Sequence, residues 1–144
     1  MIAAIQSLCG LLSRDEVTAA EVAASLGVVA EDRGGIYPIV VEPRDPTLRE
    51  ARIVRQAGTD EPAYVEVVPR QPAATPVSAF VGAFGEYAKL PRLHGNTSLR
   101  IAFYPEQGRG THTCAIICEV TPGQHGIDDG TVARVTVRRD IRLD

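Results

Sequence analysis

The chain has 144 residues, 44% of them hydrophobic and 23% charged, with a formal net charge of −3. A chain of this length buries roughly 70% of the surface its unfolded form exposes, so one domain over residues 1–144 needs no metal or disulfide staple to fold. The composition argues against disorder and membrane spanning, and the charge gives no general pull toward nucleic acid or anionic lipid.

Ile2, Ile5, Leu8, Cys9 and Leu12 recur at spacings of three and four, which predicts a first helix with one apolar stripe. The stretch is too short to span a bilayer. It lacks a basic lead and runs straight into Arg14 and Asp15, so it does not read as a secretory signal. A second helix is expected from Thr18, where Thr18 and Glu21 form a capping-box pattern and Val17 can staple onto Val22. Gly27 is expected to end it in the left-handed conformation. From Gly35 the period becomes two. Strands are expected at 36–42, with Pro38 marking an edge or bulge, at 48–56 and at 63–68. The Pro72–Pro76 stretch reads as a hinge. A third helix is expected over 77–89, followed by strands at about 97–105, 111–121 and 131–141.

Two halves emerge. Val22-Ala23-Ala24-Ser25-Leu26-Gly27 parallels Phe80-Val81-Gly82-Ala83-Phe84-Gly85, each ending in a large apolar residue and then Gly. Tyr64-Val65-Glu66-Val67 parallels Arg134-Val135-Thr136-Val137. The expected fold is α+β, a tandem duplication of a helix plus a three-stranded antiparallel meander with repeat units at approximately 14–71 and 76–144. The helices should cover one face of the sheet, with an extra helix at the N-terminus. In element order and in the apolar-Gly step at Val22–Gly27, the chain resembles the beta-lactamase inhibitor protein family and the small outer-membrane assembly lipoproteins of related fold. The resemblance implies helices on an antiparallel sheet and a non-enzymatic binding role. The chain departs from it in having no leader, no lipobox and no paired cysteines, and no functional residue is carried across.

Catalytic constellations are not evident. Residues 17–27 look like the first half of a DNA-binding helix-turn-helix, but Gly34-Gly35 and a strand follow where the recognition helix should be. His112, Cys114 and Cys118 fall on one side of a strand and form the most metal-like cluster, yet no CxxC or HxxxH spacing accompanies them. Small apolar cysteines in a core are the plainer explanation. Cys114 and Cys118 stand roughly 13 Å apart in one extended strand, beyond disulfide reach. Three cysteines at irregular spacing therefore suggest reduced thiols in a cytoplasmic protein. No metal or other cofactor is expected.

The surface with the strongest functional signal lies on the second half. Leu99, Ile101 and Phe103 alternate with Arg100 and Tyr104, and Val135, Val137, Ile141 and Leu143 with Arg134, Thr136, Arg138 and Asp140. If the apolar set faces the helices, then Arg100, Tyr104, Arg134 and Arg138 share the opposite face, and Arg and Tyr are enriched as interface anchors. A non-enzymatic protein-binding module of the inhibitor, immunity, adaptor or secretion-chaperone type is the expected function. Its partner would be a protein or a second copy of the chain, and neither nucleic acid nor membrane. The alternative is a small enzyme or ligand-binding domain with a pocket between helices and sheet, using His112, Cys114 and Tyr104.

Overall fold

The computed structural model describes residues 1–92, 99–105 and 110–143. These form an α+β fold of three helices and one eight-stranded antiparallel sheet. Helix α1 (Ile2–Leu12) buries Ile5, Leu8, Cys9 and Leu12, the stripe its spacing predicts. Helix α2 (Ala19–Leu26) opens on the expected capping box: Thr18 Oγ1 accepts from the Glu21 N–H at 3.1 Å, and the Glu21 carboxylate accepts from the Thr18 N–H at 3.3 Å. Helix α3 spans Val77–Phe84 and buries Val77 and Phe80.

The strands are β1 (Gly27–Glu31), β2 (Ile39–Pro43), β3 (Leu48–Arg55), β4 (Pro62–Pro69), β5 (Ala88–Lys89), β6 (Leu99–Phe103), β7 (His112–Gly123) and β8 (Gly126–Ile141). Their order in the sheet is β1-β2-β3-β4-β8-β7-β6-β5. The second and third helices are therefore each followed by four strands rather than the expected three. The additional ones, β1 and β5, are short edge strands, and burial does not alternate along either, so neither carries a period-two signal.

Two helix ends differ from expectation. Gly27 has φ 164°, which is extended backbone, and the chain passes directly from α2 into β1. Glycine is needed there for close approach, because a Cβ would run into the Glu42 carbonyl oxygen on β2. Helix α3 stops at Phe84 because Gly85 takes φ +89°, a conformation that favours glycine. Tyr87 leaves the helix but keeps its apolar contact: its ring meets the Phe103 ring edge-on at 6.1 Å, beside Phe80 and Phe84.

The core lies between the helices and one sheet face. Ile39, Val41, Ala51, Ile53, Val65, Val67, Ile101, Phe103, Ile116, Val135 and Val137 line its sheet side. Ile141, the last residue of β8, continues that parity but is 71% exposed, and Leu143 beyond the strand is 89% exposed.

Two long-range ties fix α1 and correct the sequence reading. Cys9 on α1 and Cys114 on β7 form a disulfide across 105 residues of sequence, with Cα atoms 5.4 Å apart. The expectation of three reduced thiols took into account spacing within the β7 strand and could not see this tertiary approach. Arg139, the neighbour of Arg138, points inward from β8. Its guanidinium donates to the carbonyl oxygens of Leu12 at 3.0 Å, Arg14 at 2.9 Å and Asp15 at 2.9 Å, where α1 runs out of intrahelical partners.

Candidate functional site

Side chains alternate across a strand, so the residues between the core positions point away from the helices. Strand pairing then sets them in rows. Arg100, Glu119 and Arg134 are consecutive partners across β6, β7 and β8. The next row runs through Ala102, Ile117, Thr136, Glu66 and Arg52 across five strands. A third contains Ala115, Arg138, Tyr64 and Val54. Tyr104 follows Phe103 at the end of β6 and is 56% exposed. The four residues selected from the sequence, Arg100, Tyr104, Arg134 and Arg138, thus share this outer face, two of them in one row.

The β4–β8 pairing extends the face across the middle of the sheet. It adds Glu50, Arg52, Tyr64 and Glu66 from the first half, and a polar hollow of 210 Å³ lined by Glu50, Arg52, Glu66, Val68 and Arg134. Periodicity gives the outward direction of each residue, but only the pairing of strands distant in sequence shows that they adjoin. The face is consequently mixed rather than Arg-rich. Arg52 Nε pairs with Glu50 at 2.5 Å, Arg138 Nε with Asp140 at 2.6 Å, and Arg134 with Glu119 at 3.8 Å. The Asp140 hydrogen bond raises the Arg138 pKa above the usual guanidinium value, against the opposing effect of burial. Solvated pairs of this kind contribute about 0–1 kcal/mol each, so a partner can exchange them at small cost. Arg100 Nε is buried with no hydrogen-bond partner among the described residues.

The metal-like cluster lies elsewhere and is not a thiolate site. Cys114 is bonded to Cys9, and Cys118 is buried with its thiol pushed up to about 12 by desolvation. His112 Nδ1 lies 3.0 Å from Thr111 Oγ1 and 3.8 Å from Asp15. Tyr104 is on the opposite face of the sheet from Cys114, so the three residues of the pocket alternative do not converge. His94 and residues 106–109 fall outside the described residues. Hollows on the helix side include one of 370 Å³ among α1, α3 and the 3-10 turn Pro72–Ala74, and one of 340 Å³ between α1 and α2. Neither contains His112, Cys114 or Tyr104.

Asp15 instead serves a structural joint. Its Oδ1 accepts from Thr111 N at 2.7 Å and Thr111 Oγ1 at 2.9 Å, tying the α1–α2 connection to the start of β7. Gly110 leaves room, since a Cβ there would collide with the Asp15 carboxylate. The Thr111 N–H holds the Asp15 carboxyl below its ordinary value, with the Thr111 hydroxyl and His112 adding to it. Arg55, bonded at 3.0 Å, and the Gly34 N–H do the same for Asp32. Folded values below unfolded ones mean that this stability is present above the unfolded value and is lost as pH falls through the folded values. Unfolding is therefore expected to become easier below about pH 4. The pair of changes Asp15→Asn and Asp32→Asn should flatten the acid limb of a stability profile measured by denaturant titration, and an unaltered limb would contradict the assignment.

No protein-family model, no curated protein and no solved structure matches the chain, so the outer face has to be read from its own chemistry.

Proposed function

We propose that the chain is a non-enzymatic protein-binding module that engages a protein partner through its outer sheet face, centred on β6, β7 and β8. The observation that carries this reading is the placement of Arg100, Tyr104, Arg134 and Arg138 on a face that no described helix covers, with Tyr104, Arg134 and Arg138 about half exposed above the fully buried side chains of Ala102 and Ala115. Exposed Tyr and Arg offer apolar area and directed donors together, as interface anchors do. Alternating Arg and Glu ask for a partner of matching mixed charge, and this balance disfavours a nucleic-acid backbone as the ligand.

The element pattern supports a duplicated scaffold. The strand order is palindromic about the β4–β8 pair, with α2 leading one half and α3 the other, as two fused copies of one unit would give. On this reading the units meet at β4 and β8, and the binding face spans their junction. No helix among the described residues is long and apolar enough to cross a membrane. The Cys9–Cys114 bridge favours an oxidising compartment over the cytoplasmic one expected from three reduced thiols.

The test is a titration of the partner captured from the native host against the wild-type chain and against Arg134→Glu and Arg138→Glu. Both side chains are about half exposed, so the variants should fold normally. Each reversal is expected to weaken binding at least tenfold, about 1.4 kcal/mol. Unchanged affinity in both removes this face as the binding site.

A further inference from the structure

The 370 Å³ hollow beside the helices lies where the chain crosses between its halves. It is bounded by the start of α1, the β2–β3 turn, the 3-10 turn and α3. Its size falls within the range of small-molecule sites, about 300–1,000 Å³, and exceeds twice the roughly 150 Å³ that takes benzene. Ile2, Pro46, Pro76, Ala79 and Phe80 give it an apolar wall. Phe80 is fully buried, and its ring is set by Phe84 at 5.9 Å and Phe103 at 6.1 Å, so that wall is preformed.

The charge of the lining is unbalanced. Arg70 carries the only side-chain charge among the described residues that line it. The Arg70 backbone N–H donates to Thr47 O at 2.8 Å, while its Nε and Nη2 donate to the carbonyl oxygens of Pro46 at 3.2 Å and Leu48 at 3.5 Å. These bonds hold one edge of the planar guanidinium against the start of β3. A guanidinium presents its N–H donors in a fixed fork, so the Nη1–Nη2 edge keeps a parallel pair of donors. No carboxylate of a described residue pairs with that edge. Other hollows differ in this respect. The one between α1 and α2 sets Arg44 with Asp45, and the outer one sets Glu50 and Glu66 with Arg52 and Arg134.

We infer that the 370 Å³ hollow binds a small apolar monocarboxylate, with its apolar body against Pro76, Ala79 and Phe80 and its carboxylate on the Nη1–Nη2 edge of Arg70. Charge complementarity identifies the occupant. A carboxylate matches both the single positive charge and the two parallel donors, whereas one guanidinium leaves a phosphate dianion half neutralised. The site lies on the helix side and uses none of the outer-face residues, so it stands or falls apart from the protein-binding reading.

Phenylacetate, phenylpropanoate and phenylbutanoate are the probes, titrated into the oxidised protein and followed by methyl chemical shifts. At least one is expected to saturate with a dissociation constant of about 1 mM or below, as ligand efficiencies for molecules of this size allow. It should shift the Ile2, Ala74 and Ala79 methyls and leave those of Ala102, Ala115 and Ile117 in place. The matching phenylalkanol, which is uncharged, should bind at least tenfold more weakly. Arg70→Gln should weaken the acid at least tenfold and leave the alcohol unaffected. Ala79→Leu, at an exposed position of α3, should block both by filling the cavity, and an unchanged melting temperature shows that its fold is intact. No saturating shift with any of the three acids overturns the proposal. So does equal affinity for acid and alcohol, or an acid indifferent to Arg70→Gln.

Discussion

Reducing the Cys9–Cys114 bridge is expected to lower the unfolding free energy by about 4.7 kcal/mol, the chain-entropy value for closing a loop of this length. The bridge joins residues 105 apart and ties α1 to β7, a central strand of the second half. Without it, α1 is held by its buried stripe and by polar contacts at its ends, including Arg139 at the C-terminal one. Denaturant unfolding with and without reductant measures the difference, and Cys9→Ser with Cys114→Ser should reproduce the reduced midpoint and no longer respond to reductant. An unshifted midpoint would show that the bridge does not constrain the unfolded chain. Thiol counting adds a check. The native oxidised protein should expose no reactive thiol, because Cys118 is buried and its pKa raised to about 12. Denaturant alone should reveal one thiol, the free Cys118, and denaturant with reductant all three.

Arg139→Ala is expected to cost about 3 kcal/mol or more, because it leaves carbonyl acceptors at the end of α1 unsatisfied at about 1–3 kcal/mol for a buried one. The side chain is 2% exposed and supplies three directed hydrogen bonds to carbonyl oxygens at and beyond the end of α1, with Glu61 3.8 Å away. A cation at that position also complements the negative end of the helix dipole. Arg139→Lys should recover little, since an ammonium cannot reproduce the planar fork that reaches Leu12, Arg14 and Asp15 together. Arg138→Ala, one residue away on the outer face, should change stability by under about 1 kcal/mol, because its ion pair is solvated. Equal losses at the two positions would contradict the opposite orientations assigned to them.

The contrast between these neighbouring arginines shows how far the sequence could be read. The outward course of Arg134 and Arg138 follows from strand alternation, as do the buried positions of Ile101, Phe103, Val135 and Val137. Arg139 was missed although its signal was present: it falls on the parity of Val135 and Val137, where a charged residue must find partners. The capping box at Thr18 and Glu21 is local chemistry and was legible in full. Strand β1 was not, because an edge strand exposed on both faces has no alternating pattern. The Gly27 conformation depends on Glu42, and the Cys9–Cys114 bridge on residues 105 apart, so both belong to tertiary structure. The candidate face was half legible. Its residues on β6 and β8 could be named, but the balancing carboxylates of Glu50 and Glu66 join it only through the β4–β8 pairing.

Methyl chemical-shift mapping with the captured partner tests the outer-face reading most directly. Half-buried Ile117, with Ala102 and Ala115 buried directly beneath the outer-face side chains, reports on the outer face, and Ile2, Ala74 and Ala79 on the 370 Å³ hollow beside the helices. Binding is predicted to shift the Ala102, Ala115 and Ile117 methyls and leave those of Ile2, Ala74 and Ala79 in place. Shifts confined to Ile2, Ala74 and Ala79 would place the partner on the helix side and contradict the account.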